Sequence, residues 1–104
     1  MNFENFDFSK MQATLAQAKQ KYDAIRVKMA ATTVEATAGA GMVWVKMNGE
    51  KRLLEVRLDP EVVKSDPDML PDLIVAAVNE AGRRAEEQMS AELGSLASGL
   101  PGMF

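Results

Sequence analysis

An α+β fold of order α-β-β-β-α, a three-stranded antiparallel meander flanked by two long helices, is predicted by three features of the 104-residue sequence. Residues 9–31 contain no glycine or proline and carry apolar side chains at alternating spacings of four and three, the signature of one helical face. Residues 32–58 hold β-branched, alternating stretches punctuated by Gly39-Ala40-Gly41 and Asn48-Gly49. From residue 69 the helical spacing returns.

Each element has its own local cause. Ser9 is a suitable N-cap, and Met11, Leu15, Ala18, Tyr22, Ile25 and Met29 form the apolar stripe of the first helix. Residues 32–37 read as a first strand, 42–47 as a second and 50–58 as a third, which Asp59-Pro60 ends. Asn48-Gly49 reads as a two-residue type I′ loop, which needs positive φ at both positions. Residues 61–66 suit a helical turn. Asp68 as N-cap then places Pro71 in the first turn of a helix beginning near residue 69, where a missing N–H is harmless. Leu73, Ala77, Ala81, Ala85 and Met89 give that helix a small-residue face. The whole chain, 1–104, reads as one domain, with 1–8 as a lead-in and 94–104 as a flexible tail.

A two-residue loop at Asn48-Gly49 sets Met47 opposite Glu50, Val45 opposite Arg52 and Val43 opposite Leu54. Val56 and Leu58 continue on the face that the helices would cover. The other face would then carry Trp44 opposite Leu53 and Met42 opposite Glu55. Two helices cover two sheet faces poorly, so Met42, Trp44 and Leu53 are the expected interface of a homodimer.

Composition excludes several functions. The sequence has no cysteine and no histidine, which removes thiolate chemistry, the commonest metal ligands and the commonest general base. Asp59, Glu61, Asp66, Asp68 and Asp72 are explained by helix starts, so no metal site and no catalytic residue is expected. Gly39-Ala40-Gly41 precedes a strand and lacks a following Gly-Lys-Ser/Thr, so it matches no nucleotide fingerprint and no cofactor is implied. No apolar run is long enough to span a bilayer, and the acidic start, Met1 to Asp7, does not read as a signal peptide. A cytoplasmic binding protein is expected, not an enzyme.

Net charge is −3, yet the cations are segregated. The first helix carries Lys10, Lys19, Lys21, Arg26 and Lys28 against Asp23, and the last carries Arg83 and Arg84 before Glu86 and Glu87. Lys21 and Lys28 share one face, and Lys19 and Arg26 share another. A cationic helix in an acidic protein is either a phosphate-binding stripe or an ordinary solvated face.

The run Gly39-Ala40-Gly41-Met42-Val43-Trp44-Val45-Lys46-Met47-Asn48-Gly49, then Val56-Arg57-Leu58-Asp59-Pro60, resembles the YbaB/EbfC family of bacterial nucleoid-associated proteins. The similarity continues from Met69-Leu70-Pro71-Asp72-Leu73 to Arg83-Arg84 and into the Gly/Pro-rich end. The resemblance implies a homodimer at the nucleoid whose helices project as arms and which binds duplex DNA with limited sequence preference. Trp44 stands where the family more often has a lysine, and Pro71 replaces a more helix-friendly residue. The expected phosphate contacts therefore move to Lys10, Lys19, Lys21, Arg26, Lys28, Arg83 and Arg84. A cytoplasmic protein partner, met by the same dimer acting as an adaptor, is the alternative.

Overall fold

The amino end of the first helix is closed by Asp7, not Ser9: an Asp7 carboxylate oxygen accepts the Lys10 N–H at 3.2 Å. The computed structural model of the chain describes residues 7–98. Within them run α1 (Phe8–Ala31), β1 (Thr33–Ala38), β2 (Val43–Asn48), β3 (Leu53–Leu58), α2 (Pro60–Ser65), a 3-10 turn (Pro67–Met69) and α3 (Leu70–Ser98). The expected order α-β-β-β-α is thus present, and the helical turn expected at 61–66 is α2, begun one residue earlier at Pro60. Asp59, not a later residue, caps α2: its carboxylate accepts the Glu61 N–H at 2.9 Å. Asp68 caps nothing as an N-cap would, because the chain enters α3 through the 3-10 turn in which Asp68 itself lies. Pro71 is consequently the second residue of α3.

The sheet order is β1-β2-β3, antiparallel throughout. The expected hairpin register is corrected. Met47 faces Leu53, Val45 faces Val56, Trp44 faces Arg57 and Val43 faces Leu58, with an irregularity at Lys46/Met47. The cause is the turn. Asn48 donates its N–H to Arg52 O at 2.9 Å, and Lys51 N–H reaches Asn48 O at 3.0 Å. Lys51 has φ 68. Gly49, Glu50 and Lys51 therefore form a three-residue loop closed by a left-handed residue, the next commonest hairpin solution after the two-residue loops. The shift and the bulge together carry Leu53 to the face of Met47. The outer face then has Trp44 among Glu35, Lys46, Glu55 and Arg57, so the apolar Trp44–Leu53 pair does not form.

α3 lies over β1 and β2. Ala77, Ala81 and Ala85 are fully buried against Ala36, Val43, Val45 and Met47. Their small side chains let the helix backbone approach the sheet closely, while Leu70, Leu73, Ile74 and Val78 pack around the margin. β3 is not covered in this way. Leu53, Leu54, Val56 and Leu58 remain exposed, Val56 by 39% although it stands opposite fully buried Val45.

Past the hairpin turn, α1 and the carboxyl half of α3 run on beyond the sheet. α1 has 24 residues, a length of ~36 Å at the α-helical rise. Its expected apolar stripe is largely open: Leu15 is 60% exposed, and Phe8, Met11 and Tyr22 are exposed too, while Met29 alone is buried. The radius of gyration is 20.8 Å, against the ~13 Å usual for a compact chain of this length. α3 passes straight through Gly94 to Ser98, so residues 94–98 are helical. An interior glycine weakens a helix by only ~1 kcal/mol relative to alanine, and nothing lies within 4 Å of where a Cβ at Gly94 would stand. The rest of the expected lead-in and tail, residues 1–6 and 99–104, lies outside the described residues.

Candidate nucleic-acid interface

The helical period arranges the cations of α1. At ~100° per residue, Lys10, Lys21 and Lys28 fall on one line along the helix, and Lys19 and Arg26 fall on the opposite line. The apolar stripe of Met11, Leu15, Tyr22 and Met29 runs between them. The first line spans ~27 Å of helix axis. Covering the apolar stripe would therefore leave a row of cations along each side of the contact.

The structure brings these side chains to different partners. Lys28 Nζ reaches Glu92 Oε1 of α3 at 2.5 Å, and Arg26 Nη2 reaches Glu50 Oε2 of the hairpin turn at 3.4 Å. Among the described residues, Lys10 and Lys19 are in no ion pair. Arg83 and Arg84 sit elsewhere, on the outer side of α3 (facing away from the sheet) and at its β1 edge. Glu80 accepts from Arg83 Nε at 3.1 Å and Nη2 at 2.6 Å, and from Arg84 Nε at 3.2 Å, while Glu87 also pairs with Arg83. Arg84 Nη1 donates to the Glu35 carbonyl of β1 at 2.5 Å. The hydrogen bond and charge of Arg83, joined by those of Arg84, hold the Glu80 carboxyl down at about 2. The same contacts push Arg83 up. Of the seven cations expected to meet phosphates, these two are the most committed to the protein itself.

Sequence reasoning missed three cations that the sheet positions. Arg57 lies 4.6 Å from the centroid of the Trp44 ring, a cation–π contact, and also pairs with Glu55. Lys51 leaves the hairpin turn to pair with Glu86 of α3, whose carboxyl it draws below its usual value. Lys46 stands beside Trp44 on the outer face, opposite Glu55. Only the corrected register shows that Trp44 and Arg57 are neighbours. Met42, the third residue expected at a dimer interface, precedes β2 and turns its methyl toward Gly39, near Leu73. Among the described residues no group of three or more carboxylates is arranged to hold a metal ion, and no helix is long and apolar enough to cross a membrane.

A three-stranded meander under one long helix, with a second long helix carrying two lines of cations, defines the class of the fold, a small α+β protein. Residues 4–100 match the model of the YbaB/EbfC DNA-binding family, and the chain belongs to that family. A nucleoid-associated protein of Acidobacterium capsulatum is 50% identical over 104 residues, covering 91% of this chain and 96% of its own. Another nucleoid-associated protein, from Koribacter versatilis, is 53% identical over 91 residues, covering 85% of this chain and 90% of its own. Among solved structures, an uncharacterized protein of Helicobacter pylori superposes with a TM-score of 0.80 at 23% identity, covering 88% of this chain and 98% of that one. It supports the fold.

Proposed function

We propose that this chain is a nucleoid-associated protein of the cytoplasm that binds duplex DNA as a homodimer, and not an enzyme. Family membership and the names of the relatives support the DNA partner. The observation that carries the reading in this chain is the arm itself, an exposed apolar stripe on α1 flanked by two lines of lysine and arginine. A second copy supplies what the stripe and the bare face of β3 require, and the paired arms then present their cations together. Leu53 belongs to that surface, whereas Trp44 lies across the sheet. Phosphate contacts from Lys10, Lys19 and Lys21 position a duplex without reading bases, so sequence preference is limited.

The test is a titration of labelled duplex at two salt concentrations. Affinity should fall steeply with salt, with a slope of about −0.9 in log–log form per phosphate contacted. No association with duplex at low salt would refute the reading. One observation favours a second reading, that of a dimeric adaptor for a cytoplasmic protein: Arg26, Lys28, Arg83 and Arg84 are already matched by carboxylates. A partner retained after nuclease treatment, together with absent duplex binding, would select it.

A further inference from the structure

The two cation lines of α1 end in the same way. Lys10 and Lys19, toward the tip, have no carboxylate partner among the described residues. Lys28 and Arg26, at the base, are each held by one carboxylate from another element: Glu92 of α3 and Glu50 of the hairpin turn. Both cationic side chains remain open to solvent, Lys28 at 60% and Arg26 at 57%. A phosphate can therefore approach each of them from outside while the carboxylate holds it from within. Arg83 and Arg84 differ, because several bonds to Glu80, Glu87 and the Glu35 carbonyl fix them in place.

We propose that Glu92 and Glu50 are internal competitors for phosphate, each occupying the basal cation of one line, so that the protein holds down its own affinity for DNA. The inference rests on the DNA-binding reading above. Exposed ion pairs are weak, with a median near 0–1 kcal/mol, so a duplex phosphate can displace the carboxylate. Affinity is thereby limited by two contacts internal to the fold, without removal of any cation.

The experiment compares duplex affinity at low salt for the full-length wild type, Glu92→Gln and Glu50→Gln. Glu61→Gln serves as an equal change in net charge, since Glu61 makes no ion pair among the described residues. Circular dichroism checks that each variant keeps its helices. Glu92→Gln and Glu50→Gln should each tighten binding by about 2–5-fold, the range that releasing one exposed pair allows, and by more than Glu61→Gln does. In a Lys28→Ala background the gain from Glu92→Gln should vanish, and in an Arg26→Ala background so should the gain from Glu50→Gln. Equal gains in all three glutamine variants, or gains that survive loss of the cation, would overturn the proposal in favour of bulk charge. Wild-type binding with no gain in either variant would overturn it while leaving DNA binding intact. Absence of binding by every form would overturn both.

Discussion

Gly49 and Met29 meet at a distance that leaves no room for a side chain. The Gly49 N–H donates to the Met29 carbonyl at 2.9 Å and to Thr32 O at 3.0 Å. A Cβ on Gly49 would stand 2.8 Å from Met29 Sδ and 2.9 Å from the Met29 carbonyl oxygen. This contact seats the carboxyl end of α1 against the hairpin turn. Gly49→Ala should therefore lower unfolding free energy by about 1–3 kcal/mol, the usual effect of overfilling a packed site. A urea titration of the purified variant measures it, and an unchanged midpoint would show that α1 gives way freely.

Asn48 holds the same turn from its side chain. Its Oδ1 accepts the N–H groups of Glu50 at 3.0 Å and Arg52 at 2.9 Å, and its Nδ2 donates to Ala30 O at 3.3 Å. The residue is buried, so removing the acceptor strands two backbone donors in a poorly hydrated corner. Asn48→Ala should be destabilising by about 1–3 kcal/mol, and Asn48→Asp by less, since an aspartate keeps the acceptor. Equal losses in the two variants, read from denaturant midpoints, would point to the Ala30 contact instead.

These two residues also mark where the sequence was legible and where it misled. The long helices, the strand order and the buried face of β2 follow from periodicity, which reports local geometry directly. Asn-Gly signals a hairpin, and a hairpin is present. The dipeptide is used for other reasons, however: Asn48 for its side-chain acceptor, Gly49 for its lack of a Cβ next to Met29. A loop one residue longer and begun one residue later, together with one bulge, then moved every partner on β3 and carried Leu53 across the sheet. Charge segregation on α1 was legible because it is also periodic. The carboxylates that hold Arg26 and Lys28 were not, since Glu50 and Glu92 reach them from 24 and 64 residues away in sequence.

Trp44 and Arg57 supply a reporter, because Trp44 is the only tryptophan. Arg57→Ala should alter its fluorescence while changing stability by no more than about 1 kcal/mol, as for an exposed cation–π contact. The proposed dimer surface lies on the other side of the sheet. Diluting the protein through its dimer–monomer transition should therefore leave Trp44 emission nearly constant. A marked shift on dilution would place the indole in the interface and argue against the β3 surface.

The uncovered face of β3 gives a direct test of pairing. Val56 and Leu58 are exposed on the side that faces the core of β2, and each stands opposite a fully buried valine. Val56→Asp would set a charge within any apolar contact made there, and an unpaired buried charge is strongly unfavourable. This variant should sediment as a monomer under conditions where the wild type is dimeric. Thr37→Asp, an exposed change on the outer face beside Trp44, should stay dimeric. The reverse pattern would move the interface to the outer face.

Acid should act on α3 through Glu80. The Arg83 hydrogen bond holds the Glu80 carboxyl at about 2, with Arg84 adding to the effect. An unfolded glutamate titrates near ~4.3. A carboxyl whose folded value is depressed stabilises the fold above its unfolded value and loses that contribution as pH falls through the folded one. The stability gap between wild type and Glu80→Gln should thus be widest above about pH 5 and close progressively toward about pH 2. It should be small throughout, because the pairs are exposed and screened by solvent and salt. Between about pH 6 and 8 the gap should be level, because histidine, the side chain that ordinarily titrates there, is absent from the sequence. Denaturant midpoints across this range measure the gap. A gap that stays constant down to about pH 2 would mean that the Glu80 side chain acts by packing and not by its charge.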